Sequence, residues 1–504
     1  MTTSTRQPND GVAKVHIDLD YAREDYILLR DAFEGERAMK ERASSYIIAL
    51  DSQTNDANAF AAYVERGEYL LVVSQTVEAL RGLAFRKQPV ISAPDDSAIA
   101  EWLKRVDGDR QTVVDLARKL LTERLLMGRS ALFLDFPTAD EIDEDDDLSV
   151  AEAMEKGFAP LLSVVPTESI VNWVEKSGRL VYVAIHERVT GFDHLTMDEE
   201  VEEHIRVLKL DAQGVYIQQI WVAEGAERDT QLGGKHNRKF NGTSISGAAG
   251  YALKTEIVPT LNGEPLDYIP IYFATEGGYP DVAKSPMLDL ARKARDYFRK
   301  SCEINHAEHL VMLPTPYAIG FSESELEELD EIGPGTRWSS TNESAKVGFL
   351  ESDGTGIGVV HKSLDRIEKQ LSSLGARILA PASDLAPESG IALSIRAASE
   401  NASLTDAVQD VERVIKQVLR IVEQFYELAP GSVSFKMNRD FVSSRLGANE
   451  VKALHDMLIA GSISYETFIA NLKAGEIVDQ DVSADDERER IETDGAGLGA
   501  GFGE

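Results

Sequence analysis

One stretch sets the architecture of this chain: residues 285–310, which read SPMLDLARKARDYFRKSCEINHAEHL. Ser285 is a good helix cap and Pro286 has the fixed φ of a first helical residue, so a helix is predicted to begin here. Pro314 and Pro316 follow and end it. At 1.5 Å per residue this helix would be about 37 Å long, which is long for an ordinary domain.

Two further long helices follow the first one. The second is predicted at 361–379 and the third, which is longer, from about 394 to 428. Residues 317–358, between the first two, are predicted to form a compact insertion with short strands and many glycines. A Pro/Ser/Gly loop at 380–391 separates the second helix from the third. One side of the third helix is apolar and consists of Val411, Ile415, Val418, Leu419 and Val422.

The rest of the chain divides into a helical part, a strand-rich part and a helical end. Helices are predicted from Tyr63 to Gly82 and from Ala98 to Met127, followed by a buried strand at 130–137. Between 160 and 275 apolar residues alternate with polar ones, which predicts strands at 180–189, 204–210, 215–222 and 269–273. The Gly/Ser-rich piece 241–250 is predicted to be a mobile loop. Segregated helices and strands predict an α+β fold.

The C-terminal part is predicted to hold short elements and a tail. Short strands are expected at 433–435 and 441–442, and short helices at 449–460 and 464–474. The acidic, glycine-rich residues from 476 onward are predicted to be disordered.

Composition narrows the class of protein. The 504 residues contain 52 Lys and Arg against 86 Asp and Glu, a net charge of −34, with 43% hydrophobic residues. The single cysteine, Cys302, excludes an intrachain disulfide and any multi-cysteine metal site. With no secretory signal and no apolar run of about 20 residues, a soluble protein of a reducing compartment is expected. The acidic balance argues against DNA binding over the whole surface.

Motif searches yield no catalytic constellation. The glycine cluster 353–360 fails the phosphate-loop patterns and is interpreted as a turn. His306 and His309 lie on one predicted helix with Glu303 and Glu308. A di-metal site needs Glu-x-x-His pairs from two helices, and only one is present. The two histidines are therefore interpreted as a pair on the face of a helix at an interface. The acidic run 140–147 lacks the glycine and final glutamate of a calcium loop. We therefore expect no enzymatic activity, no cofactor and no metal.

Two basic clusters admit two interpretations each. They are solvated faces, or they meet phosphates or an acidic partner. The first cluster lies on the first long helix and consists of Arg292, Lys293, Arg295, Arg299 and Lys300. The second lies in the predicted mobile loop and consists of Lys235, Arg238 and Lys239.

Several strings, in their order along residues 20–475, resemble the portal (head-to-tail connector) proteins of tailed bacteriophages. The similar strings begin at Tyr69 (YLLVVSQTVEALRGLAFRK), Gly128 (GRSALFLDFP), Pro166 (PTESIVNW), Ser285 (SPMLDLA), Leu374 (LGARIL) and His455 (HDMLIAGSISYETF). The order of these strings along the chain carries the resemblance.

The resemblance implies a portal-like elongated subunit with a helical stem, an α/β clip, a β-rich wing and a helical crown. The implied segments are the wing at 1–284 with its β-rich part at 160–275, the stem helices at 285–310 and 361–379, the clip at 311–360, the tunnel loop at 380–391, the long wing helix with short strands at 392–444, the crown at 445–475 and the tail at 476–504.

The resemblance also implies a function. Portals form dodecameric rings at one capsid vertex of the virion, assembled in the host cytoplasm, through which double-stranded DNA passes non-specifically in genome packaging and ejection. Implied partners are the large terminase subunit, the major capsid and scaffolding proteins and the head-completion or tail adaptor, with no membrane. The implied site residues are Asp384, Leu385, Pro387 and Glu388 facing DNA; Glu325, Glu328 and Trp338 docking terminase; and Arg292, Arg295 and Arg299 as a basic stem face.

Physical arguments agree with this layout, and two alternatives stay open. Apolar residues around the circumference of the first long helix predict exposure in a monomer and hence self-association: Leu288, Ala291, Tyr297 and Phe298. Carboxylates lining a conduit would keep phosphates from adhering, and the loop 380–390 carries no Lys or Arg. The alternatives are a soluble hydrolase-type enzyme with dispersed carboxylates and an acidic assembly or scaffolding factor, against which the strand-rich section speaks.

Overall fold

The computed structural model describes residues 10–95, 97–136, 159–193, 198–224, 250–311, 315–323, 325, 339–350, 357–379, 390–439, 441, 448–474, 477–478 and 488. The chain divides into two compact units, Met1–Met437 and Asn438–Glu504. Most strands lie in one stretch, from Ser130 to Ala274, and the strands of the described residues pair antiparallel. The predicted α+β class is therefore confirmed.

The N-terminal part is mainly helical. Its helices are α1 (Ile17–Glu34), α2 (Glu36–Glu41), α3 (Ala43–Tyr46), α4 (Ala57–Glu65), α5 (Val72–Ala84), α6 (Ala98–Trp102) and α7 (Val113–Met127), and a short strand, β1 (Val90–Ser92), follows α5. The leucine-rich side of α7 is buried, as its spacing predicts: Leu116, Leu120, Leu121 and Leu125.

The strand-rich part follows α7. Its strands are β2 (Ser130–Asp135), β3 (Leu161–Val165), β4 (Ile170–Lys176), β5 (Arg179–Asp193), β6 (Asp198–Leu210), β7 (Tyr216–Glu224), β8 (Gly250–Ile257), β9 (Thr260–Leu261), β10 (Glu264–Pro265) and β11 (Ile271–Ala274). One sheet has the order β4-β5-β6-β7-β8 and another the order β11-β2-β3. The strands predicted near 130, 180, 204, 215 and 269 are present, although several are longer or shifted at their ends. The predicted mobile loop lies outside the described residues except for Gly250, which opens β8.

A long helix pair with a hairpin follows. The elements are α8 (Leu288–Val311), β12 (Thr315–Ile319), β13 (Lys346–Leu350), α9 (Ile357–Leu379) and α10 (Gly390–Phe425). Helices α8 and α9 pack against each other, and β12 pairs antiparallel with β13. The predicted caps act as expected, because the Ser285 hydroxyl accepts a hydrogen bond from the Met287 N–H at 3.0 Å. All three long helices predicted from the sequence are thus present.

The remaining elements are short. Strand β14 (Ser434–Lys436) pairs with β1 and so returns the chain to the N-terminal part. The second unit contains α11 (Ala448–Ile459) and α12 (Tyr465–Ala474), joined through Gly461. Phe441, predicted to lie in a strand, is outside any strand, and Val442 is not among the described residues.

The helix predicted from Tyr63 to Gly82 is wrong as one piece, because the chain leaves the helix between α4 and α5. Gly67 lies in this break, where a Cβ would be only 2.2 Å from Cys302 Sγ on α8. The break is therefore imposed by close packing against a helix distant in sequence, which local periodicity does not report.

The helix predicted from Ala98 to Met127 is also wrong as one piece. A turn separates α6 from α7, and Gly108 adopts a left-handed φ of 83° within it. The Asp107 carboxylate accepts hydrogen bonds from the N–H groups of Asp109 and Gln111, each at 3.0 Å. Thr112 and Asp115 then form a capping box that starts α7. An aspartate-glycine turn followed by a new cap outweighs the apolar spacing here.

Candidate assembly surface

Helix α8 is embedded in its own chain. It packs against α1, α4, α5 and α9. The residues predicted to be exposed in a monomer are buried, together with others on the same helix: Leu288, Leu290, Ala291, Ala294, Tyr297, Phe298, Cys302 and Ile304. The prediction that this helix would be left uncovered in a single subunit is therefore wrong, since N-terminal helices cover it.

Polar contacts fix the break between α4 and α5 onto α8. The Ser301 hydroxyl accepts from the Glu68 N–H at 2.8 Å and lies 2.9 Å from the Glu68 carbonyl. Asn305 donates from Nδ2 to the Arg66 carbonyl at 2.7 Å. Burial raises the pKa of the Cys302 thiol to about 12, so this cysteine is a packing residue rather than a nucleophile.

The basic face predicted on α8 is engaged within the chain. Arg292 donates to both carboxylate oxygens of Asp25, at 2.8 and 3.1 Å. Arg295 pairs with Asp296 at 3.4 Å, and Arg299 donates from Nε to the carbonyl of Tyr46. Arg292 and Arg299 thus connect the helix to N-terminal elements, whereas the partner of Arg295 lies on α8 itself. A contact of this face with DNA or a partner stays a prediction.

The histidines of α8 lie in different surroundings. His306 packs edge-on against Tyr63, with ring centroids 5.2 Å apart. Burial, with smaller contributions from Arg66 and His309, lowers the pKa of His306. Glu308 bonds to His361 Nε2 of α9 at 2.6 Å, which fastens the two helices at the end that carries the hairpin. Within the described residues no group of three His, Cys, Asp or Glu side chains is placed to hold a metal ion.

Glu325, predicted to dock terminase, organises the connection between β12 and β13. One carboxylate oxygen accepts from the Thr341 N–H at 2.8 Å, and the other accepts from the Ser322 N–H at 2.8 Å. The hydroxyls of Ser322, Ser340 and Thr341 donate to it as well. The N–H groups of Ser322 and Thr341 are the main reason why the pKa of Glu325 falls to about 2. This carboxylate therefore has an internal structural role, whatever else it contacts.

The other predicted site residues are not among those that the structure describes. Glu328 and Trp338 lie between the described parts of the hairpin connection. The tunnel-loop residues lie between the end of α9 and the start of α10: Asp384, Leu385, Pro387 and Glu388. Their roles stay predictions.

The hairpin exposes apolar side chains on both faces. Tyr317 is 42% exposed and Ile319 61%, and both lie on one face because they are two residues apart in β12. Val347, 47% exposed, lies opposite Ala318 and therefore on the other face. Within the described residues this sheet comprises two strands, so each strand has one edge that pairs with no further strand there.

Exposed apolar residues continue onto the helix ends beside the hairpin. Leu310, in the last turn of α8, is 59% exposed, and Val359, in the first turn of α9, is 70% exposed. We call these five residues the hairpin surface: Leu310, Tyr317, Ile319, Val347 and Val359. Sequence reasoning missed this surface, although the signal was present: Pro316 to Ile319 is apolar at nearly every position, without the alternation of a half-buried strand.

A small cleft lies elsewhere in the first unit, between the β4–β5 turn, β11 and α10. Its volume is about 200 Å³, and its polar lining includes Glu175 and Arg413. Arg413 already donates to the Thr275 carbonyl at 2.6 Å and to Asp410 at 2.7 Å. The volume is below the several hundred Å³ typical of ligand pockets, so the cleft gives little support to the hydrolase alternative.

The class defined by these observations is an α+β chain whose two long antiparallel helices carry an exposed apolar hairpin. None of the described helices combines the length and apolar content that crossing a bilayer requires. Residues 286–426, which span the helix pair, the hairpin and α10, match the family described as Domain of unknown function (DUF4055). The match covers less than a third of the 504 residues. No curated protein matches the sequence.

Proposed function

We propose that this chain is a portal-type subunit, which forms a ring-shaped conduit for DNA at a capsid vertex and does no chemistry of its own. The observation that carries the proposal is the hairpin surface, which leaves apolar groups on opposite faces of one two-stranded sheet. Covering a single apolar patch needs one partner, whereas covering both faces needs a partner on each side. Repeated head-to-tail contacts of this kind close into a ring when the rotation between neighbouring subunits closes, and otherwise extend into a filament.

The energetics favour association through this surface. Isolated two-stranded hairpins are marginally stable in water, and exposed apolar patches on soluble proteins mark contact sites. Full burial of a Val, Leu or Ile side chain contributes about 1.5–3 kcal/mol. Several such residues in each of two contacts per subunit would stabilise an assembly of about twelve copies, the number that the family resemblance implies.

The resemblance adds the partners. In this proposal the hairpin region docks a separate packaging ATPase and later a tail adaptor, because the chain has no phosphate-binding loop to supply energy itself. The major capsid and scaffolding proteins are further partners that the resemblance implies. The family match contributes one point of support: the helix pair and the hairpin both fall within the matched residues, 286–426.

Charge substitution on both faces of the hairpin tests the proposal. The double variant I319D/V347D should convert the ring to smaller species, because each carboxylate would have to be buried in a subunit contact. The mass is measured by size-exclusion chromatography with light scattering. The matched control is Ile48→Asp, at an exposed apolar position far from the hairpin in sequence.

The outcomes are distinct. The variant should keep the far-ultraviolet circular dichroism and thermal unfolding of the wild type while losing the large assembly, and the control should keep both. A wild type that is monomeric at micromolar concentration would contradict the proposal. So would an assembly unaffected by the two aspartates.

A further inference from the structure

Three basic residues form a row on the outward side of α9. Lys362, Arg366 and Lys369 are four and three residues apart, which places them on one side of a helix, and all three are exposed. The buried residues Ile367 and Leu371 lie on the opposite side, where α9 meets α8 and α5. The basic row therefore points away from its own subunit.

The basic row has no anionic partner within the described residues. No hydrogen bond or ion pair of Lys362, Arg366 or Lys369 occurs there, whereas Arg292 on α8 is paired with Asp25. Like charges four residues apart on a helix are mildly destabilising by themselves. Because these cations form no ion pair there, they can meet an external anion.

The acidic residues of α9 lie on the flank of the helix beside the basic row. Asp365 and Glu368 both contribute, after burial and Glu68, to the raised pKa of Tyr297 on α8. Their carboxylates are thus close enough to α8 to act on its tyrosine. Both carboxylates are exposed, and Asp365, four residues before Lys369, borders the basic row on the flank of α9.

A neighbouring copy offers no matching acidic row on its α8. Each carboxylate of that helix already has a side-chain partner in its own chain: Asp289 pairs with Lys284, Asp296 with Lys293, Glu303 with Lys300 and Glu308 with the imidazole of His361. A polyanion from outside the assembly fits better. Helix α9 also contains no Phe, Tyr or Trp on which the bases of a single strand would stack.

The geometry points to the phosphate backbone of duplex DNA as the ligand of the basic row. This inference rests on the proposed function, which brings DNA to the chain. The row extends over about 10 Å of helix, and duplex DNA carries one charge per 1.7 Å of its axis. All three cations can therefore meet phosphates at once. In a ring every copy repeats the row, so an otherwise acidic conduit would contain a basic girdle that grips DNA without reading its sequence.

The test compares two triple variants of the full chain binding a random-sequence duplex by fluorescence anisotropy. K362Q/R366Q/K369Q removes the row. R37Q/K104Q/K284Q removes the same residue types at exposed positions that pair with Glu41, Glu101 and Asp289. Each phosphate-binding cation contributes about 0.9 to the slope of log affinity against log salt, so loss of the row should reduce the slope by about 2.7. The control should keep the wild-type slope.

Each result decides the inference. A wild-type chain that does not bind the duplex at low salt overturns it, as does equal loss in the two variants. If removal of the row abolishes the large assembly, the row is a subunit contact and the inference is wrong. Rings that form normally while the row has no effect on DNA refute the inference alone. Duplex binding through the row by a chain that forms no ring refutes the proposed function alone.

Discussion

At the scale of single residues, buried carboxylates on α10 hold the chain that follows it. Glu423 is 1% exposed and accepts hydrogen bonds from the N–H groups of Gly431 and Val433, at 2.9 and 2.6 Å. Glu412 accepts from the Met437 N–H at 3.1 Å. These contacts fasten β14 to the helix, and β14 pairs with β1 across most of the sequence.

Replacing Glu423 tests this anchor. Glu423→Gln should lower the free energy of unfolding by about 1–3 kcal/mol, because an amide presents a donor to one of two buried N–H groups. Equilibrium urea denaturation measures the change. Glu78→Gln, at an exposed position on α5, should alter stability by less than about 0.5 kcal/mol. Equal stability of the two variants would show that the carboxylate does not anchor the turn.

Gly67 provides a second residue-scale test. Gly67→Ala should destabilise the fold by about 1–3 kcal/mol, since the new methyl group would overlap Cys302 Sγ and press on Phe298. Thermal unfolding reports the change. The matched control is Gly82→Ala on α5, where no atom lies within 4 Å of the added Cβ, and it should be neutral or stabilising. Partial rescue of Gly67→Ala by Cys302→Ala would identify the contact, and an unaffected Gly67→Ala variant would refute it.

At the scale of elements, the connection between β12 and β13 depends on one carboxylate. The pKa of Glu325 falls from 4.5 to about 2 on folding. A lowered pKa means that the stabilising contribution is present above about pH 4.5 and is lost as pH falls toward 2. The connection should therefore loosen in acid.

Hydrogen exchange measures this loosening. Glu325→Gln should speed hydrogen exchange of the Ser322 and Thr341 amides at pH 6. In the wild type, these amides should lose protection, relative to their intrinsic exchange rates, when the pH is lowered to about 3. The variant should not show this additional loss of protection. The neighbouring Glu323→Gln serves as the control and should leave both amides protected. Fast exchange in the wild type at pH 6 would contradict this role of Glu325.

Sequence patterns predicted some elements well because their determinants are local. The start of α8 follows from Ser285 and Pro286, and the ends of the three long helices were predicted within four residues. The break at Gly67 was missed because it depends on Cys302, more than two hundred residues away. The burial of α8 was missed for a related reason: an apolar circumference reveals that a helix needs partners, but not that α1 and α5 of the same chain supply them.

At the scale of the whole molecule, two opposed electrostatic features have to act together. The chain carries a net charge of −34, which would repel DNA at most of its surface. The basic row on α9 is a local exception, and the hairpin surface is the apolar group that would bring copies together around it. In this account each subunit presents only three cations to DNA, and the ring repeats them at one level of the conduit. DNA is therefore held at that level and does not adhere to the rest of the acidic surface.

Electron microscopy of the purified full chain at micromolar concentration tests the existence of that ring most directly. The account predicts closed rings of about twelve subunits with a central opening wide enough for duplex DNA. Fields that contain only monomers or dimers, with no hollow particle at any concentration examined, would contradict it.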